Sequence, residues 1–135
     1  MMGIVVVTHG HIGTELVKAV QHVLPESTQI RAIAVEANEA PQQVQQRVAS
    51  AMQEVHSPSG ILLLTDMFGG TPSNICMSFL QAGSVEVISG VNLPMLLKLA
   101  HLQKEQNLTE LAHFIQEYGK KNIVIASEVL ERKKA

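Results

Sequence analysis

A chain of 135 residues can bury a proper core as one domain without disulfides or a structural metal. Its 10 Lys and Arg against 12 Asp and Glu leave a net charge of −2, which offers nucleic acid no electrostatic footprint beyond a short basic tail, Glu131–Lys134, expected to be solvated. A single cysteine, Cys76, excludes an internal disulfide and suits a reducing compartment, apolar runs no longer than IVVV or ILLL fall short of a membrane span, and the first residues lack the basic region and cleavable apolar segment of a leader, so a cytosolic chain is expected.

Gly3–Val7 is a continuous β-branched run, the pattern of a central strand covered on both faces. It ends abruptly on Thr8, His9, Gly10 and His11, and a buried strand gains nothing from imidazoles. Ile12, Leu16, Val20 and Val23 or Leu24 then recur at helical spacing, and Pro25 closes that helix. Ile30–Val35 alternates as a second strand, after which Val44, Val48, Ala51 or Met52, and Val55 line one face of a helix beginning near Pro41. Ser57–Gly60 is a turn and ILLLTD, Ile61–Asp66, a third strand; GGTP, Gly69–Pro72, breaks the chain. Thr71 is placed to cap a short helix that opens at Pro72 and runs through Ser73–Gln81, with Cys76 as a small buried hydrophobe. Val85–Ile88 is a fourth strand, SGVNLP a loop, and Pro94 suits the first turn of a helix reaching about Leu102. Asn107 with Glu110 forms a capping-box pattern for a last helix, Leu108–Tyr118, ending at Gly119. Ile123–Ala126, within NIVIAS (Asn122–Ser127), reads as a final strand free to run antiparallel along a sheet edge.

Alternating strands and helices predict an α/β fold over residues 1–135: an open, mostly parallel doubly wound sheet, four parallel strands plus the C-terminal antiparallel one, with helices on both faces. Sites in such sheets lie beyond the carboxyl ends of the strands, so THG, TDMFGGTP and SGVNLP are expected on one rim. There Asp66 can accept a hydrogen bond from one ring nitrogen of His9, fixing the tautomer so that the other offers a free lone pair towards phosphorus. The glycines at 69 and 70 and the following helix N-terminus suit a bound anion such as phosphate; a tight turn with a cap explains GGTP alone equally well. His22, His56, His101 and His113 are scattered and read as surface or boundary residues. The His9/His11 pair has only Asp66 as a further ligand and lacks the spacing of a zinc site, so no metal is expected. THGHIG is not the Gly-x-Gly-x-x-Gly of a dinucleotide-binding turn, and Glu36 is only a faint candidate for the ribose-binding acid. Met67 and Phe68 fit core or docking patch equally well.

VVVTHGHIG, LLLTDMFGGTPSN and VISGVNLPMLLKL, in that order and at matching intervals over nearly the whole chain, resemble the enzyme IIA domain of the mannose class of the bacterial phosphoenolpyruvate-dependent sugar phosphotransferase system. DMFGGTPSN is unlike the corresponding motif of the dihydroxyacetone-kinase phosphotransfer domains that share the fold. The resemblance implies that His9 is the phosphorylated histidine, Asp66 its hydrogen-bonded partner, and Gly69, Gly70 and Thr71 the holders of the phosphoryl oxygens. It implies the small carrier HPr as donor, the histidine of a IIB component as acceptor, no metal or organic cofactor, and a strand-exchanged homodimer. Contact with a membrane permease would be peripheral at most. Ser73 and Gly13 depart from the commonest family pattern, at positions not expected to touch the chemistry. The rival reading is a regulatory module whose phosphorylation tunes a partner without onward transfer to sugar, and a weaker third is a nucleotide-binding domain.

Overall fold

The computed structural model describes residues 2–25, 29–102 and 107–134. Strand β1 (Gly3–His9) leads through helix α1 (Ile12–Val23) to β2 (Ile30–Val35), and α2 (Pro41–Glu54) leads to β3 (Ile61–Thr65). Then come α3 (Gly70–Met77), β4 (Val85–Ser89), α4 (Leu93–His101), α5 (Leu108–Lys121) and α6 (Ala126–Lys134). The sheet has four strands in the order β2-β1-β3-β4, every neighbouring pair parallel.

Period-two side-chain alternation sorts the apolar strands onto two covered faces. Ile4, Val6, Leu62 and Leu64 pack with Val17 and Val20 of α1, Leu96 and Leu99 of α4, and Leu111 and Ile115 of α5. Val5, Val7, Ile61 and Leu63 pack on the other face with Val44, Val48 and Ala51 of α2 and with Cys76 of α3. Burial there pushes the Cys76 thiol up to about 12, so the side chain stays neutral as an ordinary hydrophobe. Because β1 is followed by β2 on one side and flanked by β3 on the other, the chain reverses direction across the sheet between β1 and β3. A crevice opens at such a reversal, at the carboxyl ends of the two strands.

Three expectations are corrected. The helix after GGTP begins at Gly70, not Pro72, and ends at Met77, not Gln81; Gly69 is its N-cap, and no side chain caps it, Thr71 included. Gly69 and Gly70 adopt φ of +97° and +85°, so the loop winds into the helix through glycine backbone, while Gln81 is drawn off to bridge Val85. The last long helix does not stop at Gly119 but runs to Lys121, because that glycine serves packing: a Cβ there would lie 2.7 Å from the Met95 sulfur. Nor is there a fifth strand among the described residues. Ile123, Val124 and Ile125 are 77, 57 and 63% exposed, and α6 follows them. A β-branched segment forms a strand only where a ladder partner meets it; here the Asn122 turn carries it away from the sheet, and ASEVLERKK supplies good helix formers.

The helix starts otherwise agree with the sequence. Asn107 caps α5 by accepting from the N–H groups of Thr109 and Glu110, and Pro41 and Pro94 stand in the first turns of α2 and α4. His22, His56, His101 and His113 are all exposed. Among the described residues no helix is long and apolar enough to cross a membrane.

Candidate functional site

His9 is the last residue of β1 and the first of that strand to leave the core, its side chain 47% exposed after six buried residues. Asp66 follows directly on β3, the neighbouring strand, and reaches back: its Oδ2 accepts from His9 Nδ1 at 2.9 Å and from the His9 backbone N–H at 3.1 Å. Its Oδ1 accepts the Met67 N–H at 3.1 Å. Because a carboxylate only accepts, Nδ1 carries the proton of the neutral ring, and in that form Nε2 is left with its lone pair. That nitrogen faces Gly70, where a Cβ would lie 3.1 Å from Nε2. Gly70 opens α3, so the N–H groups of Gly70 and Thr71 have no acceptor within the helix, and the next residue, Pro72, has none to offer. An imidazole lone pair, a helix start bearing partial positive charge and a carboxylate behind the ring therefore converge at the sheet's reversal point.

His9, Asp66 and Gly70 are thus brought together. Gly69 contributes backbone geometry, with open space where a Cβ would stand, and the Thr71 hydroxyl, half-buried in the first turn of α3, has no hydrogen-bond partner among the described residues. The third rim segment buttresses the site from outside: the Gly90 and Val91 N–H groups donate to the Thr65 carbonyl at 3.0 and 2.9 Å, and Asn92 caps α4 while its amide donates to the Gly119 carbonyl. His11, beside His9 in sequence, points elsewhere and pairs with Glu36 at 3.1 Å, both side chains mostly exposed. Among the described residues no three His, Cys, Asp or Glu side chains are placed to hold a metal ion. Met67 and Phe68 are 56 and 73% exposed, so they are not core; with Ile12 they put apolar surface on the segments flanking His9 and Asp66.

The sequence reading passed over two residues. Thr8 and Thr65 are fully buried, each directly before a site residue. The Thr8 hydroxyl accepts the Gly13 N–H at 2.8 Å and donates to the Gly10 carbonyl at 3.3 Å. Thr65 stands 3.1 Å from the Ser89 hydroxyl and 3.4 Å from the Met67 carbonyl. The signal was present in the strings TH and TD, where two apolar runs both end on threonine before the charge-bearing residue. Gly13 lies against Thr8: a Cβ there would be 3.0 Å from Thr8 Cγ2.

Residues 3–116 match the family described as EIIA-man, PTS system fructose IIA component. The chain belongs to this family. It is a IIA component of the sugar phosphotransferase system and works in the phosphoryl transfer that accompanies sugar uptake. It is 27% identical over 135 residues to the fructose-specific EIIA component of Bacillus subtilis (strain 168), covering 99% of this chain and 92% of that one. It is 29% identical over 111 residues to the sorbose-specific EIIA component of Lacticaseibacillus casei, covering 82 and 80%. The fold matches that of a mannose/sorbose-specific IIA subunit from Enterococcus faecalis with a TM-score of 0.82, at 24% identity over 92% of this chain and 93% of that one. A IIA component implies HPr and a IIB component as partners.

Proposed function

We propose that His9 is the residue of this IIA component that takes the phosphoryl group, and that it does so at Nε2. The lone pair of Nε2 attacks the phosphorus carried by phospho-HPr; the bond from phosphorus to the donor breaks and its electron pair stays with the donor. The reverse exchange, with a histidine of the IIB component as attacking group, passes the phosphoryl on. Asp66 holds the proton on Nδ1 and balances the positive charge that the ring acquires when Nε2 is phosphorylated. The N–H groups of Gly70 and Thr71 and the Thr71 hydroxyl meet the phosphoryl oxygens, whose charge is spread through the transfer, so the protein's task is positioning and hydrogen-bond donation. No metal or organic cofactor enters these steps.

One observation carries the reading: Nδ1 of His9 is engaged by Asp66 at 2.9 Å while Nε2 faces the opening of α3 at Gly70. Residues 1–135 act in this view as one IIA domain on the cytoplasmic side, touching a permease at most peripherally. The apolar side chains of Ile12, Met67 and Phe68 are covered by each partner in turn. We further read Ile123–Ile125, exposed here, as the strand that a second copy accepts along its β4 edge, giving a strand-exchanged homodimer. The test of the chemistry is incubation with phosphoenolpyruvate, enzyme I and HPr, followed by intact mass before and after mild acid. The protein is expected to gain one acid-labile phosphate, His9→Ala to gain none while keeping its fold, and His11→Ala to gain it normally. Labelling that survived in the His9 variant and vanished in the His11 variant would overturn the assignment.

A further inference from the structure

The two residues of the site are held by the same device. Each stands immediately after a threonine near the carboxyl end of a buried strand, and each threonine is fully excluded from water. A hydroxyl so buried must find partners. Thr8 accepts one hydrogen, from the Gly13 N–H at the start of α1, and gives its own to the carbonyl of Gly10, two residues on. Thr65 has one proton to give, and two acceptors lie within its reach: the Ser89 hydroxyl at 3.1 Å and the carbonyl of Met67, again two residues on, at 3.4 Å. The chain is thereby tied on both sides of His9 and on both sides of Asp66; the His9 side chain, 47% exposed, has little packing of its own, and the Asp66 carboxylate, 14% exposed, is aimed by its backbone. Thr65 is held a second time through its own carbonyl, which accepts from Gly90 and Val91.

We propose that Thr8 and Thr65, with Ser89 behind the latter, are positioning residues for the phosphoryl exchange: they set the backbone turns that keep the His9 ring and the Asp66 carboxylate in register. The inference rests on the reading of His9 as the phosphoryl acceptor. Its physical content is that a side chain on a strand end can swing about its own backbone, and the 2.9 Å contact between Nδ1 and Oδ2 survives only if both backbones are fixed. The two strands are neighbours in the sheet, so an error in either turn moves one partner away from the other.

The experiment compares Thr8→Val, Thr65→Val and Ser89→Ala with Thr8→Ser and Thr65→Ser in the full chain. Two quantities are read: the single-turnover rate from phospho-HPr, and the tautomer of the His9 ring from its nitrogen chemical shifts in the absence of phosphate. The parent is expected to hold one tautomer, with the proton on Nδ1. The valine variants, folded by circular dichroism, are expected to show a mixture of tautomers and a rate lower on the order of tenfold. Serine should restore both, since it keeps the hydroxyl. A buried threonine that only supported the fold would lower the melting temperature and leave the ring tautomer alone. Folded valine variants with the parent's tautomer and rate would therefore overturn the inference. Should a valine variant not fold, the same two readings are taken on Thr8→Ala for the first threonine and on Ser89→Ala, which removes only the hydroxyl beside Thr65, for the second. If the parent takes no phosphate on His9 and the variants still lose the tautomer, the phosphoryl reading fails and the positioning role stands.

Discussion

Asp66 accepts from three N–H groups, two of them on His9, so its charge and its shape act together. Asp66→Asn keeps the shape, but the acceptor-only carboxylate is gone and nothing balances a phosphorylated ring. Single-turnover transfer should slow by roughly 10²-fold or more, the scale of a positioned acid–base or electrostatic group; an unchanged rate would remove Asp66 from the mechanism. Gly70 makes a sharper demand. A Cβ there would meet Nε2 at 3.1 Å, where the proposed transfer brings the phosphorus, and φ of +85° disfavours any L side chain. Gly70→Ala is expected to abolish labelling at a stability cost of about 1 kcal/mol, measured by urea unfolding. His9 and Asp66 were legible in the sequence because a polar residue closing an apolar run needs a reason. Thr8 and Thr65 were not, because a threonine fits a buried strand unremarked until one knows which carbonyl its hydroxyl reaches.

Among the elements, four strands and the first five helices could be read from periodicity and punctuation, since apolar spacing reports burial directly. The early start of α3 and the late end of α5 share one cause: glycine reads as punctuation in the sequence where it serves something else in the fold. Gly69 and Gly70 admit a positive φ that lets α3 begin early, and Gly119 lets α5 pass close to Met95 of α4. Gly119→Ala should thus behave as an overpacking substitution, destabilising by about 1–3 kcal/mol. A melting temperature equal to or above the parent's would show that Met95 yields without cost. The C-terminal segment misled differently: NIVIAS has the composition of a strand, but strand formation depends on a partner that composition does not supply.

At the scale of the whole molecule, the two edges of the sheet differ. On β2 the outward carbonyls of Ile30 and Ala34 accept from Arg31 and Arg47, whose guanidinium groups are also paired with Glu54 and Glu39. Charged side chains bonded along an edge block pairing by another strand. β4 lies at the opposite edge, beside a groove of about 450 Å³ lined in part by Phe68, Met77, Leu80 and Ile88. The proposed homodimer uses that edge, and light scattering during size exclusion should give twice the chain mass at micromolar concentration; a monomer mass would exclude strand exchange and leave the His9 chemistry untouched.

His9 and Asp66 are 57 positions apart and meet only through the pairing of β1 with β3. If His9 is the acceptor, as proposed above, an unravelled copy carries the histidine without Asp66 beside it: its ring exchanges between tautomers and no carboxylate balances a phosphorylated form. On that reading competence to receive phosphate is a certificate of folding, because the ring, its carboxylate and the opening of α3 meet only when the centre of the sheet has closed.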